Sequence, residues 1–367
     1  MAFIGQRSPK VSVINCSTST KVDMKIFASD QKYKSAKQDV VKSLNLLDNV
    51  WPLIFSLKLF GLYFVAEAPL SGGSSPKIRP SSKSGRLFRN PLHVYSFGVL
   101  LMLWLNVARM TTLFTSDDVI GSILFWKICV FTWMLMCALL CTAYYTACRR
   151  DVIPHLNRSL SVDEDCARHI KKMSIIFAAI AWLAIVVNTF ITIYGLFFSN
   201  EIVDDMMAPC YSLIRHGDFR VPKSLFLIVN LYLNAAWVFP IAMNAMFSSF
   251  FYHRLSLINS RFRSTLKVEG QNEEYIGDVI EAFRQEHQSV SRIIKRSDRL
   301  MALINASLIS CLVAIFITML YTIIFYPSRD PVIVFAHVFW IFSTLVSMSI
   351  AGAGCILVNH AVCKQLI

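Results

Sequence analysis

The chain has 367 residues, 55% of them hydrophobic, and carries a formal net charge of +13. Several apolar runs are longer than 20 residues, enough to cross a hydrocarbon core about 30 Å thick, which excludes a soluble domain and points to an all-α polytopic membrane helix bundle. The excess of Lys and Arg then reflects the positive-inside rule and anionic inner-leaflet lipid rather than nucleic acid.

Residues 1–45 are polar and basic and read as a cytoplasmic N-terminal segment; the opening MAFIGQRSPK lacks the apolar core of a signal peptide. The stretch LLDNVWPLIFSLKLFGLYFVA at 46–66 has spanning length, but it carries Asp48, Pro52, Lys58 and Gly61. An interfacial or re-entrant helix suits it as well as a span does. Together with the Ser/Gly/Pro-rich basic linker that follows, it makes a unit over 46–91. Residues 92–367 form the transmembrane bundle. Six spans are expected: S1 at 92–114, S2 at 122–147, S3 at 173–198, S4 at 224–251, S5 at 300–326 and S6 at 331–358, with a cytoplasmic helix at 273–299 running straight into S5. Pro240 inside S4 predicts a kink that neighbouring helices can tolerate.

Charge orients the spans. With 46–66 not crossing and the N-terminus inside, 30 basic residues face the cytosol and four (Arg215, Arg220, Lys223 and Arg329) face outward. Seven spans with the N-terminus outside remains the alternative, because long N-terminal tails weaken the rule. The sequons at Asn15, Asn157 and Asn305 are then cytoplasmic or at the membrane boundary, and no glycosylation is expected at them.

The stretch 273–326 has no proline and one glycine, Gly277. Its first half is amphipathic: Ile276, Ile280, Phe283, His287, Val290 and Ile294 follow the helical rhythm between charged residues. That stripe must be covered outside the membrane, so these residues are candidates for subunit assembly. His287 has no second ligand at i+4, and no metal is expected there.

Three stretches carry a family resemblance: LKLFGLYF at 57–64, RNPLHVYSFGVLL at 89–101, and FRQEHQSVSRIIKRSDRLMALINASLIS at 283–310, with His287 at a recurring His position. In order and spacing they resemble the insect gustatory and odorant receptor superfamily, whose members are seven-helix, N-inside, ligand-gated cation channels. The resemblance implies a gustatory receptor subunit in the plasma membrane, a homo- or hetero-tetramer with related subunits. It also implies a pore lined by a seventh helix bearing a Thr-Tyr…Gln-Phe pattern. The sequence ends at Ile367 without that pattern, so the expectation is a chain lacking the pore-lining helix.

The resemblance further implies a pocket for a small-molecule tastant that opens outward among S2 to S6. On the topology above, the outer-half aromatic and polar residues are Trp126 and Trp133 on S2, and Asn188, Thr192 and Tyr194 on S3. S4 adds Asn230, Tyr232, Asn234 and Trp237; S5 adds Tyr321; S6 adds His337 and Trp340. Aromatic walls with a few convergent polar groups suit a small organic ligand. The competing role for each is ordinary: Trp and Tyr gather at membrane interfaces, and Asn joins helices. Asn230, Asn234 and Trp237 share one S4 face, where two amides are costly unless something satisfies them. Arg109 and Lys127, the clear cations inside spans, could snorkel outward toward Asp117 and Asp118 or contact an anionic ligand.

Catalysis has no foothold. The eight histidines are dispersed, no HExxH, GxSxG or phosphate loop is present, and the ten cysteines lack metal spacing. Neither enzyme nor cofactor is expected. A seven-helix G-protein-coupled receptor is the alternative, with 46–66 as its first helix and ACRRD at 147–151 after its third span. The last span lacks Asn-Pro-x-x-Tyr, which counts against it.

Overall fold

Local sequence starts and stops the helices. In the computed structural model, which describes residues 44–45, 49–64, 90–112, 114, 122–150, 161–162, 164–198, 220–268, 273–325 and 330–363, the first helix is α1, Trp51–Leu59, with Pro52 in its first turn. It ends on Gly61 at φ +68°. The Leu62 amide donates to the Leu57 carbonyl at 2.8 Å and the Gly61 amide to Lys58 at 3.1 Å, the double closure of a Schellman motif. A Cβ on Gly61 would lie 2.9 Å from Val99 Cγ2, so the turn needs glycine for both its backbone angle and its close packing. At nine residues α1 is about 14 Å long, less than half a hydrocarbon core. Its Leu53, Ile54 and Leu57 are buried, and Trp182 Nε1 donates to Ser56 Oγ at 3.0 Å.

Helix α2, Pro91–Thr111, starts on Asn90, whose Oδ1 accepts from the Leu92 amide at 3.1 Å, with Pro91 in the first turn. The same side chain donates through Nδ2 to the Phe64 carbonyl at 3.2 Å, tying the α1 turn to the start of α2. Helices α3, Ser122–Arg149, and α4, Glu164–Phe197, follow. Helix α5, Arg220–Val268, holds Pro240 inside it, and α6 is Glu273–Phe325. Helix α7, Pro331–Cys363, is capped by Asp330 Oδ1, which accepts from the Val332 amide at 2.8 Å.

Six of these helices, all but α1, are long and apolar enough to cross a membrane. The chain is a multi-pass helical bundle. Its lipid-facing surface shows in α4, where Ile176, Ile180, Leu183 and Phe190 fall on one helical stripe and are exposed. The described residues also contain one pairing outside the helical pattern, a two-residue antiparallel ladder of Leu44 with Val162 and Asn45 with Ser161. The residues described all fall within the compact unit Leu44–Ile367. The expected linker at 71–89, residues 1–43, Asp117 and Asp118, and the sequons at Asn15 and Asn157 lie outside them.

Helices α5 and α6, at 49 and 53 residues, are about 74 and 80 Å long. Both outrun the hydrocarbon core at the same end, joined by the short connection 269–272, so they pair antiparallel as a stalk. Leu255, Ile258 and Val290 are buried there, with Phe283 and Ile294 packed against them. The Phe262 and Phe283 rings stack at 4.0 Å, and Arg254 Nη2 meets Glu286 Oε1 at 3.2 Å.

Part of the stripe expected to serve subunit assembly packs within the chain: Phe283, Val290 and Ile294 lie against α5. His287 is half-buried within the same stripe, while Ile280 is 46% exposed. Ile276 lies in the first turn of α6, and its side chain is outside the described residues.

Candidate ligand-binding site

At the end of the bundle away from the stalk, five helices line a partly open cavity of about 140 Å³, a volume close to the roughly 150 Å³ that accommodates benzene in an engineered core. Each helix contributes one stripe at helical spacing. Helix α3 presents Trp126, Cys129, Val130, Trp133 and Met134, and α4 presents Asn188, Ile191, Thr192, Tyr194 and Leu196. Helix α5 gives Phe226, Asn230, Asn234 and Trp237, and α6 gives Leu312, Ile315 and Met319. The first half of α7 gives Ile333, Ala336, His337, Trp340 and Thr344.

The structure thus gathers ten of the twelve residues singled out from the sequence. It places Tyr232 and Tyr321 elsewhere. Tyr232 is two residues from both Asn230 and Asn234, about 200° around the helix, and its hydroxyl meets Tyr95 Oη at 2.9 Å. Tyr321 is two residues past Met319 and packs in tilted ring contacts with Phe125 and Phe325, with ring centroids at 4.1 and 4.7 Å. The apolar liners, Met134, Ile191, Leu312 and Ile315 among them, have no chemistry that separates them from ordinary membrane helix. Extending the Trp126 and Asn188 stripes by i+3 and i+4 would have found those on α3 and α4.

The polar groups fall into two sets. One set is internally satisfied. Trp340 Nε1 donates to Asn188 Oδ1 at 2.7 Å, and Asn188 Nδ2 to the Ala184 carbonyl at 3.0 Å. Asn230 Nδ2 donates to Thr192 Oγ1 at 2.7 Å, and Thr192 in turn to the Asn188 carbonyl at 2.8 Å. These bonds tie α4 to α5 and α7. Tyr194 donates to Asp330 Oδ2 at 3.1 Å, linking α4 to the α7 cap.

The second set is buried without a partner: Trp126 Nε1, Asn234 Nδ2, Trp237 Nε1 and His337 Nε2. His337 Nδ1 lies 2.8 Å from the Ile333 carbonyl. A carbonyl only accepts, so Nδ1 carries the hydrogen and the neutral ring turns Nε2 into an acceptor. Trp126 packs against His337 and Trp340 with centroids at 5.5 and 5.8 Å. Arg109 stays outside the lining. It donates to Asn106 Oδ1 at 3.1 Å, and its guanidinium lies 5.8 Å from the centroid of Phe226, itself a cavity residue.

No family model matches the sequence, and no curated protein matches it. Among solved structures, the insect olfactory receptor OR5 from Machilis hrabei superposes with a TM-score of 0.57 at 12% sequence identity, over 85% of this chain and 80% of that one. At that identity the likeness is one of fold: this chain is a multi-pass helical bundle arranged as in an insect olfactory receptor.

Proposed function

We propose that this chain is a chemosensory receptor subunit of the insect gustatory and odorant receptor superfamily, and that a small organic molecule held among α3 to α7 is its ligand. The observation that carries the reading is the cavity: a partly open, aromatic-walled space on five helices, with polar side chains among its liners, in a bundle that shares the fold of an insect olfactory receptor. The three sequence stretches at 57–64, 89–101 and 283–310 support the same superfamily.

The finer parts of the proposal are a taste role in the plasma membrane, a cytoplasmic N-terminus and stalk, and a ligand-gated cation conductance in a tetramer of related subunits. Ligand preference for one packing of the five helices would shift the population of an open state. The length of α1, about 14 Å, disfavours the G-protein-coupled alternative, which needs that segment as a seventh span.

The test is a calcium-influx screen of organic tastants and odorants on cells expressing the chain with its subunit partners, paired with binding to the purified chain in lipid nanodiscs. Binding that is lost in Trp126→Ala and Trp237→Ala, together with influx, is the expected result. An N-terminal tag reached by antibody on intact cells, or binding indifferent to both substitutions, overturns the proposal.

A further inference from the structure

Four serines of the stalk are exposed among the described residues: Ser256, Ser260 and Ser264 on α5, and Ser289 on α6. Three positions ahead of them stand His253, Leu257, Arg261 and Glu286 in turn. Ser264 alone has a permanent positive charge there, and Arg263 directly before it adds a second. Both arginines are themselves exposed.

The helix presents this hydroxyl to water. Ser264 follows Phe262 by two residues, about 200° around α5. The Phe262 ring stacks on Phe283 of α6 with centroids 4.0 Å apart, so the face bearing Ser264 turns away from α6. Ser264 Oγ donates to the Arg261 carbonyl at 2.7 Å, a bond that uses the hydrogen and not the oxygen lone pairs. Helix α5 ends at Val268, four residues on. The last carbonyls of a helix have no intrahelical partner, so its final turn opens more readily than its middle. A protein kinase takes its acceptor segment in extended form. Extending the segment around Ser264 pulls Phe262 off Phe283, so that ring contact sets how often the site is offered.

We propose that Ser264 is a phosphorylation site for an arginine-directed Ser/Thr kinase of the cytosol, with access governed by the Phe262–Phe283 stack. Arg261 and Arg263 are the recognition charges, met by acidic side chains of the kinase. In the transfer, Ser264 Oγ attacks the γ-phosphorus of ATP and the bond from that phosphorus to the β–γ bridging oxygen breaks. ADP leaves, and the hydroxyl proton passes to the kinase's base. The product carries a charge of about −2, enough to cancel that of the two arginines beside it. The inference rests on the cytoplasmic placement of the stalk.

The experiment offers the full chain, in lipid nanodiscs open on both sides, to ATP and the catalytic subunit of cyclic-AMP-dependent protein kinase. Mass spectrometry then locates the phosphate. The same kinase and ATP are also added to intact and to permeabilised cells expressing the chain. The expected result is phosphate on Ser264 in nanodiscs and permeabilised cells, with none gained on intact cells. Arg261→Gln should slow the transfer about tenfold, and Phe283→Ala should speed it about threefold. Should Phe283→Ala fail to fold, the exposed Arg261→Gln still decides the matter. Absence of phosphate at Ser264 in nanodiscs, or transfer indifferent to Arg261→Gln, overturns the site and leaves the placement of the stalk standing. A rate unchanged by Phe283→Ala overturns the control by the ring stack. Phosphate gained at Ser264 on intact cells overturns the cytoplasmic placement, and the cytosolic kinase with it.

Discussion

The cavity end and the stalk end answer the same physical demand in opposite ways. In the stalk, an apolar stripe on α6 needs cover, and α5 of the same chain supplies it through Leu255, Ile258 and Phe262. In the cavity, buried polar groups need partners, and the chain satisfies only some of them. The lesson is that a demand visible in one element says that something must meet it, without saying whether the chain itself does.

The stalk is the place to break the contrast most severely. Val290 is 6% exposed, and Val290→Asp buries an unpaired charge, expected to cost about 3–5 kcal/mol. Hydrogen exchange should rise along 255–262 and 283–294, while the amides around the cavity keep their protection. Unchanged exchange in the stalk would mean that α5 and α6 do not pair.

Asparagines sharpen the comparison within the bundle. Asn244 Nδ2 donates to Asn305 Oδ1 at 2.7 Å, with both side chains buried. Asn244→Leu removes the hydrogen bond to Asn305 Oδ1, expected to cost about 1–3 kcal/mol in a thermal unfolding series. On the same helix, Asn234→Leu removes a donor that has no partner, so stability should hold or rise slightly. Equal losses at the two positions would show that Asn234 is also a structural tie.

The Gly61 turn gives an effect of similar or smaller size. Gly61→Ala forces a side chain into the left-handed region, which costs roughly 1–2 kcal/mol, and presses on Val99. The unfolding midpoint should fall, and the α1 amides should lose protection first.

The smallest expected effect is a pH dependence. Burial holds the His287 imidazole below its usual pKa. The folded stalk thus binds fewer protons than the unfolded chain, so its stability is complete above the ordinary histidine range and declines as pH falls through about 6.5. His287→Gln should flatten that part of the pH profile. The exposed Glu281, held at about 2 chiefly by its hydrogen bonds from Arg284, titrates far below that window and leaves it undisturbed.

Much of the site was legible because its chemistry is rare in a membrane. Tryptophan, asparagine and histidine in an apolar helix stand out, and eight such positions converge, with Thr192 and Tyr194 beside them. Tyr232 and Tyr321 carry the same signal but point about 200° away from their cavity-lining neighbours. Residue type alone could not separate them from the rest.

The sequence by itself determined the helices. Apolar run length set the six spanning segments, Asn90–Pro91 and Asp330–Pro331 set two of the starts, and Gly61 ended α1. Each of these is a local effect, decided within a turn or two of the residue responsible. Only the tertiary structure decided which demands were met inside the chain. That Asn188 finds Trp340 while Trp237 finds no partner depends on how helices far apart in sequence pack, and no local pattern encodes that pairing.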